Sequence, residues 1–226
     1  MLFRSWLLLD DTKISKSVGN VIDPLDLVDV YGSDAVRFWA VRAVSFGQDG
    51  NVTLESLHDR YERELANDLG NLVSRTTAMI ARYREGRIPA ATGESKVSEA
   101  IEAVKREVPA RLDVFDVTGA VDVIWDLVRS LNKHVEEAKP WELAKDEARS
   151  AELDRVLYDL ADGLRVAAVA LSAYLPRTAP LILQALRQSE DLAWENVEPG
   201  RTVPVDGIEP AAPLFPRVDR APLAAA

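Results

Sequence analysis

The chain has 226 residues, is 47% hydrophobic and carries a formal net charge of −10 at neutral pH. That length holds one large or two small domains with ample core, while the negative balance excludes indiscriminate nucleic-acid binding through a broad basic surface. No stretch approaches the roughly 20 apolar residues that span a bilayer, residues 1–9 are too short and too weakly basic for a secretory leader, and the absence of cysteine rules out disulfides and thiolate metal sites.

In residues 1–52 short apolar runs alternate with turns, and Lys13, Ile14, Ser15, Lys16 and Ser17 crowd one short loop ahead of Gly19. Such a loop suits a polyphosphate. Lys16 would bring a mobile ammonium to the leaving pyrophosphate of ATP, and the serine hydroxyls and Gly19 would let backbone approach phosphate oxygens. By itself the cluster is as often a plain solvated turn. Pro24 and a helix-like stretch over 33–44 follow. The segment is too small for a domain of its own and reads as the end of a larger α/β unit.

From Thr53 the apolar period becomes helical. Leu54, Leu57, Tyr61, Leu65, Leu69, Leu72 and Met79 predict one long helix to about residue 83. Gly70 inside it costs about 1 kcal/mol against alanine, which predicts close approach of a packing partner. A loop over 86–93 leads to a second helix over 97–112. A third starts at an Asp116 N-cap and carries Val117, Val121, Ile124, Val128, Leu131 and Val135. Pro140 opens a short element. A long helix lined by Leu153, Leu157, Leu160, Leu164, Ala168, Leu171 and Leu175 is stopped by Pro176, and a last helix covers 178–188 ahead of a proline-rich tail. The fold expected is mainly α, an antiparallel bundle of five or six helices. Trp39 and Trp125 fall in apolar runs and are expected in the core, Trp194 is expected to pin the tail, and His58 and His134 are expected at solvated helix positions.

Two features could read RNA. Asn71 and Arg75 share one face of a helix, where an amide beside a guanidinium offers donors and an acceptor to unpaired base edges. Trp141, directly after Pro140, could present a ring for base stacking. Around them Arg75, Arg82, Arg84 and Arg87 face only Glu85, a basic run in an acidic chain. On the residues alone, the pair reads more readily as surface decoration, the tryptophan as core, and the run equally well as a helix end favoured by the macrodipole.

Taken together, the lysine-serine loop with its Gly19-Asn20-Val21-Ile22-Asp23-Pro24 continuation, Tyr31-Gly32-Ser33-Asp34, Phe46-Gly47-Gln48-Asp49-Gly50, the Asn71-Leu72-Val73-Ser74-Arg75 run, Lys139-Pro140-Trp141 and Pro213-Leu214-Phe215-Pro216-Arg217 resemble methionyl-tRNA synthetases, with Ile14 where the class I loop usually has Met. The resemblance covers nearly the whole chain. It implies a remnant of the α/β catalytic domain over 1–52, with signature loop and connecting fold, a class I anticodon-binding bundle over 53–190 and a tail over 191–226. It further implies ATP-dependent aminoacylation of tRNA(Met), with ATP and Mg2+ as substrate and ion of the complete enzyme, no metal site in this chain, and Lys16 and Lys13 as catalytic residues of the ATP-binding loop Lys13 to Ser17. Asn71, Arg75 and Trp141 would contact the CAU anticodon. The chain would act as a cytoplasmic monomer with no membrane partner, methionine and ATP being held by an upstream half. Residues 1–5 depart from the family pattern, so a truncated start is expected, and with it a chain inactive alone. Open alternatives are an isoleucine, valine, leucine or cysteine relative, or a non-catalytic tRNA-binding module.

Overall fold

The computed structural model describes residues 7–9, 12–13, 23–44, 50–90 and 93–218. A small mixed sheet opens the chain. Its strand β1 (Leu7–Leu9) pairs antiparallel with β2 (Thr12–Lys13) and parallel with β3 (Gly50–Val52), in the register Leu8 to Lys13 and Leu8 to Asn51. The parallel pairing needs a crossover, and helices α1 (Pro24–Tyr31) and α2 (Ser33–Ala43) supply it.

Thr53 and Ser56 then form a reciprocal capping box, which starts α3 (Leu54–Arg60). Without a break the chain winds as a π-helix over Tyr61–Gly70 and resumes as α4 (Asn71–Arg84). The expected single helix is therefore one continuous rod with a π-wound middle. Periodicity could not announce this, because a π turn leaves the apolar spacing of three and four intact over short runs. The partner expected at Gly70 is Phe215, whose ring would lie 3.3 Å from a Cβ placed there.

Helices α5 (Ser98–Asp113) and α6 (Val117–Ala138) form a hairpin, and Asp116 caps α6 by accepting from the Gly119 N–H, as its sequence position predicts. Helix α7 (Pro140–Leu143) begins at Pro140. The core sits around α8 (Ser150–Leu171), which is buried on nearly every side from Leu153 onward. A helix buried on nearly every side belongs in the centre of its layer, and the charged groups it carries inward are paired. Its Gly163 lets the Leu131 side chain of α6 approach, since a Cβ would meet that side chain at 2.4 Å. Helix α9 (Thr178–Ala185) packs on α8, and its first turn is capped from afar: Asp34 Oδ2 accepts from the Arg177 and Thr178 N–H groups and the Thr178 hydroxyl at 2.7–3.0 Å. Trp39 and Trp125 lie in the core as expected.

The tail is built into the molecule. Asp162 and Arg165 on α8 form a buried ion pair at 2.9 Å. The carboxylate accepts from Gly200 N, Thr202 N and Thr202 Oγ1, while the guanidinium donates to the carbonyls of Asn196 and Glu198. Val197, Ile208 and Phe215 are buried, and Trp194 packs against the core.

Candidate functional site

Asn71 opens α4, exposed, and Arg75 follows one turn later on the same face. Arg75 Nη2 donates to Glu136 Oε1 at 2.8 Å, its side chain one-third exposed and that of Glu136 62% exposed. This ion pair ties the start of α4 to the end of α6. Two residues after Glu136 the helix stops at Ala138, because Lys139 turns left-handed at φ 47° and Pro140 cannot continue it. The chain then delivers Trp141 on the first turn of α7, half-buried and packed against the core. Asn71 and Arg75 are thus presented by α4 and Trp141 by α7, and the Arg75 to Glu136 pair fastens α4 to the helix that precedes α7.

Their combined chemistry is an amide, a planar donor fork and a flat ring, a set suited to edges and faces of unpaired bases. Glu136 is the member that sequence reasoning missed. Nothing in the local pattern distinguishes it from Glu137, since only the tertiary crossing of α4 and α6 brings one of them to Arg75.

The basic run is not a free cationic stripe. Arg84 bonds Asp154 and the Ser150 carbonyl and hydroxyl, clamping α4 to the first turn of α8, and Arg87 pairs with Asp206 at 2.6 Å. Arg82 lies 5.7 Å over the Tyr83 ring, and among the described residues no carboxylate pairs with it. The two histidines also depart from expectation. His58 is buried with Nδ1 3.2 Å from the Tyr31 hydroxyl, and His134 stands 3.5 Å from the fully buried Asp159 on the opposite face of α6 from Glu136. Both sit on helices whose outward face, judged by spacing, was expected to carry them. Asp159 also accepts from Ser95 Oγ at 2.7 Å and from Arg155. Burial pushes its carboxyl up, but His134, Ser95 and Arg155 outweigh burial and hold it below the usual range.

Ile14, Ser15, Lys16 and Ser17 lie outside the described residues, as do Phe46, Gly47, Gln48 and Asp49; Lys13 is described through its backbone, in β2. Among the described residues no group of three or more histidines or carboxylates is arranged to hold a metal ion, and no helix is long and apolar enough to cross a membrane.

Comparison with known proteins adds an independent line. Residues 1–77 match the family described as tRNA synthetases class I (M). The methionine-tRNA ligase of Caldanaerobacter subterraneus is 40% identical over 221 residues, covering 96% of this chain and 35% of that protein. The Listeria monocytogenes ligase is 40% identical over 225 residues, covering 96% of this chain and 34% of its own length. Among solved structures, Mycobacterium tuberculosis methionyl-tRNA synthetase in complex with methionyl-adenylate superposes with a TM-score of 0.85 at 32% identity, over 93% of this chain and 43% of that one. Along nearly its whole length, then, this chain is homologous to methionine-tRNA ligases of class I, and it spans about a third of the length of those curated relatives.

Proposed function

We propose that this chain supplies two parts of a methionine-tRNA ligase: the lysine-serine loop that serves ATP and the helical face that reads the CAU anticodon of tRNA(Met). The observation that supports the second part is the Arg75 to Glu136 ion pair, which fastens the start of α4, carrying Asn71 and Arg75, to the end of α6, the helix that leads into the turn bearing Trp141. Trp141 stacks on one splayed base, while Asn71 and Arg75 take base edges. Stacking of this kind is worth about 1–3 kcal/mol per base. Phosphate contacts fix the register of the RNA but carry no sequence information.

In the complete enzyme Lys16 meets the charge that develops on the pyrophosphate as it leaves ATP, with Lys13 supporting and Ser15 and Ser17 shaping the loop. Magnesium belongs to that nucleotide and is held with it. Methionine and ATP bind mainly to parts of the enzyme that this chain does not contain, so it does not aminoacylate alone, and its working place is the cytoplasm.

The test is RNA binding by the purified chain. Trp141→Ala lowers affinity for a CAU anticodon stem-loop by about 1–3 kcal/mol and leaves affinity for a stem-loop with a swapped triplet nearly unchanged. Equal losses for both RNAs make Trp141 a packing or backbone-contact residue and remove it from the site.

A further inference from the structure

The ten residues Tyr61–Gly70 that lead into the candidate site wind as a π-helix. The winding ends where the Asn71 N–H donates to the carbonyl of Ala66, five residues back. An α-helix bonds four residues back, so a π turn holds one residue more. π winding is rare and occurs mostly as single-turn bulges, so a stretch of ten residues needs support from outside the helix. Reversion to α winding at constant length would rotate everything downstream by about 100° for each π turn lost. The winding therefore sets where Asn71 and Arg75 point.

Three neighbours hold it. From α2, Arg42 Nε bonds Glu64 Oε2 at 3.1 Å, with the arginine side chain almost wholly buried. From the tail, Phe215 packs edge-on to Tyr61 and against Gly70, and the Tyr61 hydroxyl donates to the Pro216 carbonyl at 2.6 Å. From α6 the hold is closest to the site and falls on one residue, Asp68, three positions before Asn71. The Trp125 indole N–H donates to its Oδ2 at 3.3 Å, and Asn132 Nδ2 donates to its main-chain carbonyl at 3.0 Å. The same Asn132 Nδ2 also donates to the Val128 carbonyl of its own helix at 3.1 Å, so it bridges α6 to the stretch where the ladder has been re-spaced.

We propose that Asn132 and Trp125, acting through Asp68, are positioning residues for Asn71 and Arg75: they fix the π winding and thereby the direction in which the pair faces RNA. This rests on the reading of that face as the anticodon site.

The experiment uses the whole chain with three variants. Asn132→Leu removes the donor and keeps the branching at Cγ, Trp125→Phe removes the indole N–H and keeps an aromatic ring, and Asp68→Asn retains both acceptor oxygens used here. Amide hydrogen exchange over residues 66–72 reads the winding, and affinities for stem-loops with CAU or a swapped triplet read the aim. Asn132→Leu and Trp125→Phe are expected to speed exchange in that window and to cut the preference for CAU about tenfold with the swapped RNA unaffected, while Asp68→Asn behaves like the parent. A purely structural role would instead lower both affinities together. Should Asn132→Leu fail to fold, Trp125→Phe decides alone. Unchanged exchange, or faster exchange with the CAU preference intact, overturns the proposal. A parent chain without CAU preference overturns the anticodon reading itself, and the exchange measurement then still decides whether these two residues hold the winding.

Discussion

Glu136→Gln offers the sharpest test of how Arg75 works. In the free chain the guanidinium is held at 2.8 Å by a carboxylate that is itself 62% exposed. Ion pairs this exposed contribute between nothing and about 1 kcal/mol, so losing the pair should lower the melting temperature by no more than about 4 °C for a chain of this size. To reach a base edge, Arg75 must give up part of that contact. Removing the competitor returns its free energy to binding, and up to about 1 kcal/mol corresponds to an affinity gain of up to about fivefold for the CAU stem-loop. Fluorescence titration of parent and variant at two salt concentrations, with a swapped-triplet control, measures it. A tenfold loss of affinity would refute the reasoning and make Glu136 the residue that orients Arg75 for RNA. An equal gain for both RNAs that disappears at high salt would also refute it, since Glu136 would then act on phosphates through space.

Three further outcomes follow from named contacts. Asp162→Ala leaves the Arg165 charge buried without its partner and frees the Gly200 and Thr202 donors, so urea unfolding should report a loss of about 3–5 kcal/mol, with residues 196–204 opened to protease; a loss under about 1 kcal/mol would mean the tail is held elsewhere. The Asp159 carboxyl is held below its usual range, so the stability it adds is present above the ordinary carboxylate pKa and lost as pH falls through the lower folded value. Asp159→Asn should accordingly cost more at pH 7 than at about pH 3, and a pH-independent difference in urea midpoints would contradict this. In the complete enzyme, Lys16→Ala should slow methionine-dependent ATP-pyrophosphate exchange far more than it weakens methionine binding, and unchanged exchange would remove Lys16 from catalysis.

The sequence by itself determined most helices and the identity of their inward faces. Asp116 caps α6, Pro140 starts α7, and Trp39 and Trp125 are core, because caps, proline geometry and apolar spacing act over a few residues and leave their mark within one turn. It also carried the family resemblance, since motif spacing is one-dimensional. What only the tertiary structure decided involves partners far apart in the chain. Arg75 finds Glu136 and Asp34 caps α9, across 61 and 144 residues. Likewise Arg84 and Arg87 are taken up by Asp154 and Asp206, and His134 faces the buried Asp159 and not solvent. The π winding ahead of Asn71 belongs here too: its backbone cost is offset by Asn132, Trp125, Arg42 and Phe215, contributed by three other parts of the fold. No local window contains those groups, so no local pattern could announce them.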